Sequence, residues 1–278
     1  MDIKFKEDFI DLWKRYSDDA ELPIVFYYTD EEGHAELVKH GSVPMCIIAA
    51  LSLVRKGKAL CFVSESIGCC GGKRYLGFRE KIRDDFEYFL SCGILGKVKG
   101  ERYKKAPQVV AEAIKYTPLF RAPARFIVFK RWDLHDQSDE PDVVIFFARP
   151  DTFSGLFTLA NFDEAEPNVV FTPSGSGCSS IVQYPYLEKD SSRPRAVIGL
   201  FDVSARPFVQ ENVLSFSVPM SKFVRMVEDM EEFLGDGFLE KSAEKDSTGF
   251  SLESSLNMRA FIGSGGLLSV FRKSHTTT

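Results

Sequence analysis

The chain of 278 residues carries a formal net charge of −5, with 44% hydrophobic and 27% charged residues, the composition of an ordinary globular protein. That acidic balance argues against nucleic-acid binding through a broad basic face, a mode that depends on many phosphate contacts. No apolar run approaches the length that spans a bilayer, and the N-terminal "MDIKFKEDFIDLWKRYSDD" lacks a signal-peptide core, so a cytoplasmic protein with six reduced cysteines is expected.

Phe5, Phe9, Leu12 and Tyr16 recur at helical spacing and predict a first amphipathic helix, with Trp13 beside its apolar face. "LPIVFYYTD" reads as a buried strand. "GSVPMCIIAALSLVRKG" is apolar on all sides and reads as a buried helix, with Ser42 as cap, Pro44 in the first turn, Cys46 near the start and Gly57 as the stop. "ALCFVSE" is a second strand, and "ESIGCCGGKRYLGF", residues 65–78, is read as a loop. Phe78, Ile82, Phe86 and Phe89 mark the next helix, which Gly93 would end in a left-handed conformation.

The basic cluster "KVKGERYKK" reads as a solvated loop, and "APQVVAEAIKY" as a shorter helix. "ARFIVFKRW" and "PDVVIFFARPD" are strands around the acidic loop "DLHDQSDE". A helix over 152–161, the strand "NVVFT" and the stretch "PSGSGCSS", which opens another helix, follow. "RAVIGLFDV" and "NVLSFSVP" are strands, and Met220, Phe223, Val227, Met230 and Leu234 form one helical stripe. From Lys241 the signal weakens toward a disordered end. The 25 phenylalanines imply a thick aromatic core.

The two halves resemble each other in order. Asp30 matches Asp151 at an offset of 151 − 30 = 121, and Cys46 matches Cys178 at 178 − 46 = 132, each after a serine, Ser42 or Ser174. Arg74 matches Arg206 at the same 132. "DDFEYFLSCGIL" matches "EDMEEFLGDGFL" at 229 − 85 = 144, pairing Asp85, Glu87, Phe89, Leu90, Gly93 and Leu95 with Asp229, Glu231, Phe233, Leu234, Gly237 and Leu239. The expected fold is therefore mixed α/β (α+β). Two related strand-helix-strand-loop-helix halves, 1–120 and 121–278 with insertions, would pack about a pseudo-twofold axis within one compact unit, with a pocket between them.

The candidate site follows from the cysteines. Cys46 and Cys178 each sit near a helix N-terminus, where the dipole favours the thiolate, and a symmetric fold would bring them together with Cys69 or Cys70. Three or four convergent thiolates suit an iron–sulfur cluster or zinc. Against this, buried cysteine is a common core residue, no Cys-x2-Cys spacing is present, and adjacent cysteines diverge. Gly71 and Gly72 would let a loop cradle an anion or a flat cofactor, and Arg74 and Arg206 would bind an anionic group, or else pair with Glu65 or Asp202. Cys61 and Cys92 read as structural. Asp133, His135 and Asp136 read as a polar loop before a metal site, and no catalytic triad or nucleotide fingerprint is present.

"CIIAALSLVRKGKALCFVSESIGCCGGKRYLGF" and "GSGCSSI" resemble the uncharacterised family called domain of unknown function 169, from about Leu22 to Leu234. The resemblance implies that Cys46, Cys70 with Gly71 and Gly72, and Cys178 occupy the family's cysteine positions, and it implies no settled activity. Two functions are expected from the sequence. The first is a thiolate-based metal or iron–sulfur protein of anaerobic redox or cofactor metabolism, with a redox partner. The second is a non-enzymatic module that holds an anionic small molecule between its halves.

Overall fold

The computed structural model describes residues 2–16, 20–32, 34–39, 41 and 46–233. The chain divides into two units, Met1–Glu231 and Glu232–Thr278, and every element below lies in the first. The expected cap Ser42, Pro44, Leu234 and the tail from Lys241 lie outside the described residues.

Helix α1 (Ile3–Tyr16) leads into strand β1 (Ile24–Thr29), and a short strand β2 (Glu36–Leu37), not legible in the sequence, follows. Helix α2 (Ile47–Arg55) starts at Cys46 and ends before Gly57 at φ 95°; Ile47, Ile48, Ala49, Ala50, Leu51 and Val54 are buried. Then come β3 (Leu60–Phe62), α3 (Cys70–Tyr75), α4 (Phe86–Phe89), α5 (Pro107–Tyr116), β4 (Phe126–Arg131), β5 (Val143–Ala148) and α6 (Pro150–Ala160). The last elements are β6 (Val170–Phe171), a π-helical turn Ser179–Gln183 running into α7 (Tyr184–Glu188), β7 (Ala196–Gly199), β8 (Leu214–Pro219) and α8 (Met220–Glu228).

Two expectations are corrected. The segment "CCGG" is not a loop: Cys69 caps α3, its Sγ accepting from the Gly72 amide at 3.4 Å while its carbonyl accepts from Lys73. Gly72 is there for close packing, since a Cβ would stand 3.1 Å from Ile67 and 3.3 Å from Ile47. The helix expected from Phe78 begins only at Phe86, because Arg74 and Arg79 donate to the carbonyls of Glu80 and Lys81, which a helix would use for its own amides. Gly93 does adopt the left-handed conformation, at φ 78°.

Among the described residues eight strands form one mixed sheet, ordered β2-β3-β4-β1-β5-β8-β7-β6. From the central antiparallel pair β1–β5 each side runs outward through the first, fourth, third and second of four consecutive strands. Each side ends in a parallel pair, β2 with β3 and β6 with β7, and Ile24 stands opposite Ile145 at the centre. The segments matched at offset 144 do not hold corresponding places in this order: Asp84–Leu95 lies between β3 and β4, whereas Glu228 onward follows β8.

Alternation along the strands sorts the sheet's side chains onto two faces. Ile24, Phe26, Phe129, Ile145 and Phe147 pack with α2 and the π turn through Ile48, Leu51, Ile181 and Val182. On the opposite face the rings of Phe9, Trp13, Trp132, Phe146 and Phe223 gather, Phe9 lying 5.0 Å from both Trp132 and Phe223. α1 and α8 thus supply part of the aromatic core inferred from composition, and the strands supply the rest, with Phe26, Phe62 and Phe129 packed together on the α2 face.

Candidate functional site

Three helical segments start on the α2 face of the sheet, and each start carries a cysteine: Cys46 before α2, Cys69 before α3 and Cys178 before the π turn. Cys178 is buried and belongs to the main core, against which Cys46 packs. Burial pushes the Cys178 thiol well above the usual thiol range, and Cys46, Cys69 and Asp202 push the same way. The expectation that a helix dipole makes Cys178 a thiolate is therefore reversed: loss of water around a buried sulfur outweighs the partial charge at the end of a short turn.

The backbone around Cys178 is held on both sides. Asp202 accepts from the Gly177 amide at 3.1 Å and also from Ser204 and the Tyr103 hydroxyl. The Ser179 and Ser180 hydroxyls donate to the carbonyls of Ser176 and Gly177. β7 leaves the sheet through Leu200, buried and at φ 70°, a strained conformation for a leucine, and its side chain approaches Gly177. A π turn and a strained residue beside one thiol are features that concentrate at functional sites.

Tyr75, at the end of α3, faces the same junction. Burial raises its hydroxyl pKa, Arg74 opposes this, and Cys178, Tyr184 and Asp202 reinforce it. Nothing in the sequence singled out Tyr75, and Asp202 was expected only as a partner for an arginine, whereas the fold sets it on the Gly177 amide beside Cys178.

The remaining candidates fall elsewhere. Cys70 is exposed, and its Sγ accepts from Arg79 at 3.4 Å, so Cys69 is the member of the adjacent pair that acts on Cys178. Gly71 and Gly72 lie within α3, and the Gly72 amide is spent on Cys69. Arg206 donates to the carbonyls of Gln210, Glu211 and Val213 at 2.6–2.9 Å, stapling the loop before β8, and Arg74 donates to the Glu80 carbonyl. Cys61 is buried on the opposite face, its thiol pushed up to about 11 by burial and by Glu32, and Cys92 is exposed.

In the acidic loop, Asp133 forms a two-point pair with Arg131, Asp136 accepts from Ser138, and His135 is buried against Trp132 with ring centroids 4.6 Å apart. All six cysteines are free. Among the described residues no group of three His, Cys, Asp or Glu is arranged to hold a metal ion, and no helix is long and apolar enough to cross a membrane.

Fold and site together define a mixed α/β protein with a partly buried three-cysteine junction on one face of a single sheet. The chain belongs to the family domain of unknown function 169, described as uncharacterised ArCR, whose sequence profile matches residues 18–229. No curated protein and no solved structure matches it.

Proposed function

We propose that this protein holds an iron–sulfur cluster or another thiophilic metal through Cys46, Cys69 and Cys178 and works in anaerobic redox or cofactor metabolism. One observation supports the reading: Cys46 and Cys69, 132 and 109 residues before Cys178 (178 − 46 and 178 − 69), both lie near enough to it to raise its thiol pKa, each at the start of a helical segment. A buried thiol such as Cys178 ionises readily only when a cation offsets the lost solvation, which is what a soft metal supplies. Tetrahedral zinc would need its sulfurs about 4 Å apart. A cluster spreads its thiolates more widely, which suits cysteines that are neighbours without being gathered on one point. Three cysteines leave one cluster position for a substrate or a redox partner. Six free thiols support a reducing, cytoplasmic setting.

The matched strand order about β1–β5 supports reading β1–β4 and β5–β8 as related halves about a pseudo-twofold axis. This division falls between β4 and β5 and not at residue 120, and it makes Cys46 and Cys178 counterparts at the helix between the second and third strands.

Anaerobic purification followed by a visible spectrum and iron, sulfide and zinc analysis tests the function. A brown protein with a broad band near roughly 400 nm supports the cluster. Reconstitution that leaves the protein colourless and without stoichiometric iron or zinc overturns it.

A further inference from the structure

The segment between β3 and β4 is the basic part of an acidic chain. Residues 63–125 carry 13 Lys and Arg against 7 Asp and Glu, a net of 13 − 7 = +6, so the other residues carry −5 − 6 = −11. Several of these cations are neutralised locally, Lys97 by Asp85, Lys115 by Glu112 and Arg121 by Glu80. Lys99, Arg102 and Lys105 are exposed and form no ion pair among the described residues. Their loop is pinned along the end of α4, where the amides of Glu101, Arg102 and Lys104 donate to the carbonyls of Phe89, Ser91 and Leu90 at 2.7–3.1 Å.

The same loop is built to hold an apolar side chain in water. Ile94 and Val98 exchange both backbone hydrogen bonds, at 2.8 and 2.9 Å. Gly93 (φ 78°) and Gly100 approach so closely that a Cβ on Gly100 would stand 2.4 Å from the Gly93 nitrogen. The hairpin so formed presents Leu95 fully to solvent. Further along, the Tyr103 hydroxyl donates to Asp202 at 2.5 Å and accepts from the Ser204 amide at 3.0 Å, which fixes Tyr103 beside a loop where Phe201 and Val203 are 59% and 67% exposed. Exposed aromatic and aliphatic groups among unpaired cations have the make-up of a protein interface, and a backbone already fixed by its own hydrogen bonds loses little entropy on docking.

We propose that this surface docks an acidic electron-carrier protein, its carboxylates meeting Lys99, Arg102 and Lys105 while an apolar spot packs on Leu95, Tyr103 and Phe201. Two observations choose this occupant. The −11 on the other residues repels an extended polyanion such as a nucleic acid or an anionic membrane, but spares a compact partner that touches only this segment. Asp202 also joins the surface to the cysteine junction, accepting from Tyr103 on one side and, on the other, from the Gly177 amide next to Cys178. That the partner carries electrons rests on the metal or cluster reading above; the docking does not, and it is measured on metal-free protein.

Oxidised two-cluster ferredoxin, an acidic protein, is titrated into the full chain at about 20 and about 200 mM salt, with binding read by calorimetry. Saturable one-to-one binding should weaken about tenfold or more across that range, because exposed charge pairs are screened. At low salt Lys99→Glu combined with Lys105→Glu should weaken it by about tenfold or more, and Leu95→Ser should weaken it about fivefold at either salt. Lys14→Glu on α1 should bind as the parent does. All four substituted side chains are exposed, so the variants keep the fold.

No saturable binding at low salt, or affinity unchanged in the charge-reversed variant, overturns the surface. Tighter binding to a short RNA duplex or to phosphatidylserine vesicles than to ferredoxin overturns the choice of partner, as does self-association that the charge reversal abolishes. Docking by a chain that takes up neither iron nor zinc would overturn the proposed function and leave the surface standing as an acidic-protein site. A reconstituted cluster in a chain that ignores ferredoxin would do the reverse.

Discussion

Lys130 and Asp139 form an ion pair that is buried at both ends, with Nζ 2.6 Å from Oδ2 and side chains 5% and 0% exposed. Asp139 is also the acceptor for the Tyr27 hydroxyl and the Asp136 amide, and His34 Nδ1 lies 3.2 Å from it. One carboxylate therefore ties β1, β4 and the loop before β5 together on the face opposite Cys46, Cys69 and Cys178.

Lys130→Met should destabilise the fold by about 3–5 kcal/mol, because it leaves the Asp139 charge buried without its cation. Urea unfolding followed by far-UV circular dichroism measures this. A loss below about 1 kcal/mol would place the pair in the class of exposed bridges, which contribute little.

Stability should fall in two stages on acidification. Burial lowers the His135 pKa to about 4, with Lys6 reinforcing the shift, so the ring stays neutral in the fold while the unfolded chain takes up a proton near pH 6.5. Stability contributed by the neutral ring is therefore complete above about pH 6.5 and is lost as pH falls toward 4, by on the order of 3 kcal/mol. Burial alone would raise the Asp139 pKa, yet hydrogen bonds from Lys130 and Tyr27 hold it below the usual carboxylate value, so its contribution is lost at lower pH still. Denaturant midpoints between pH 7 and 4 should decline in the parent and be nearly flat in His135→Leu over that range; parallel slopes would assign the decline to other groups.

Gly199→Ala should destabilise by about 3 kcal/mol or more. A Cβ there would stand 2.0 Å from the Ser180 hydroxyl and 2.4 Å from its Cβ, so the π turn could not lie on β7. Thermal melting reads the loss. Because the clash sits two residues from Cys178, bound metal should fall with it; a variant that melts like the parent would show that the turn can retreat.

Cys46→Ala, Cys69→Ala and Cys178→Ala should each lose most of the bound iron after anaerobic reconstitution, while Cys70→Ala should retain it. Iron and sulfide analysis of the four variants decides this. Comparable loss in Cys70→Ala would exchange the roles of the adjacent pair and require α3 to rotate.

The sequence by itself determined the mixed α/β class and most of the longer elements. Period-two and period-3.6 patterns are local, so β1, β4, β5, β8, α1, α2, α5, α6 and α8 were legible from spacing alone. Cys46 was legible near a helix start from Ser42 and Pro44 ahead of it, and Cys178 from the glycine- and serine-rich stretch around it. Tertiary structure decided the rest, for reasons that spacing does not carry. Two-residue strands such as β2 are set by the neighbour they pair with. "CCGG" became helix because Gly72 could press against Ile47 and Ile67, a contact with a segment 25 residues away (72 − 47). The choice of Cys69 over Cys70 follows from that same helix, since successive side chains on it point about 100° apart and only one can face Cys178. The Cys178 thiol is raised and not lowered because burial is a property of the packed sheet and helices, while the dipole argument sees only the chain beside it.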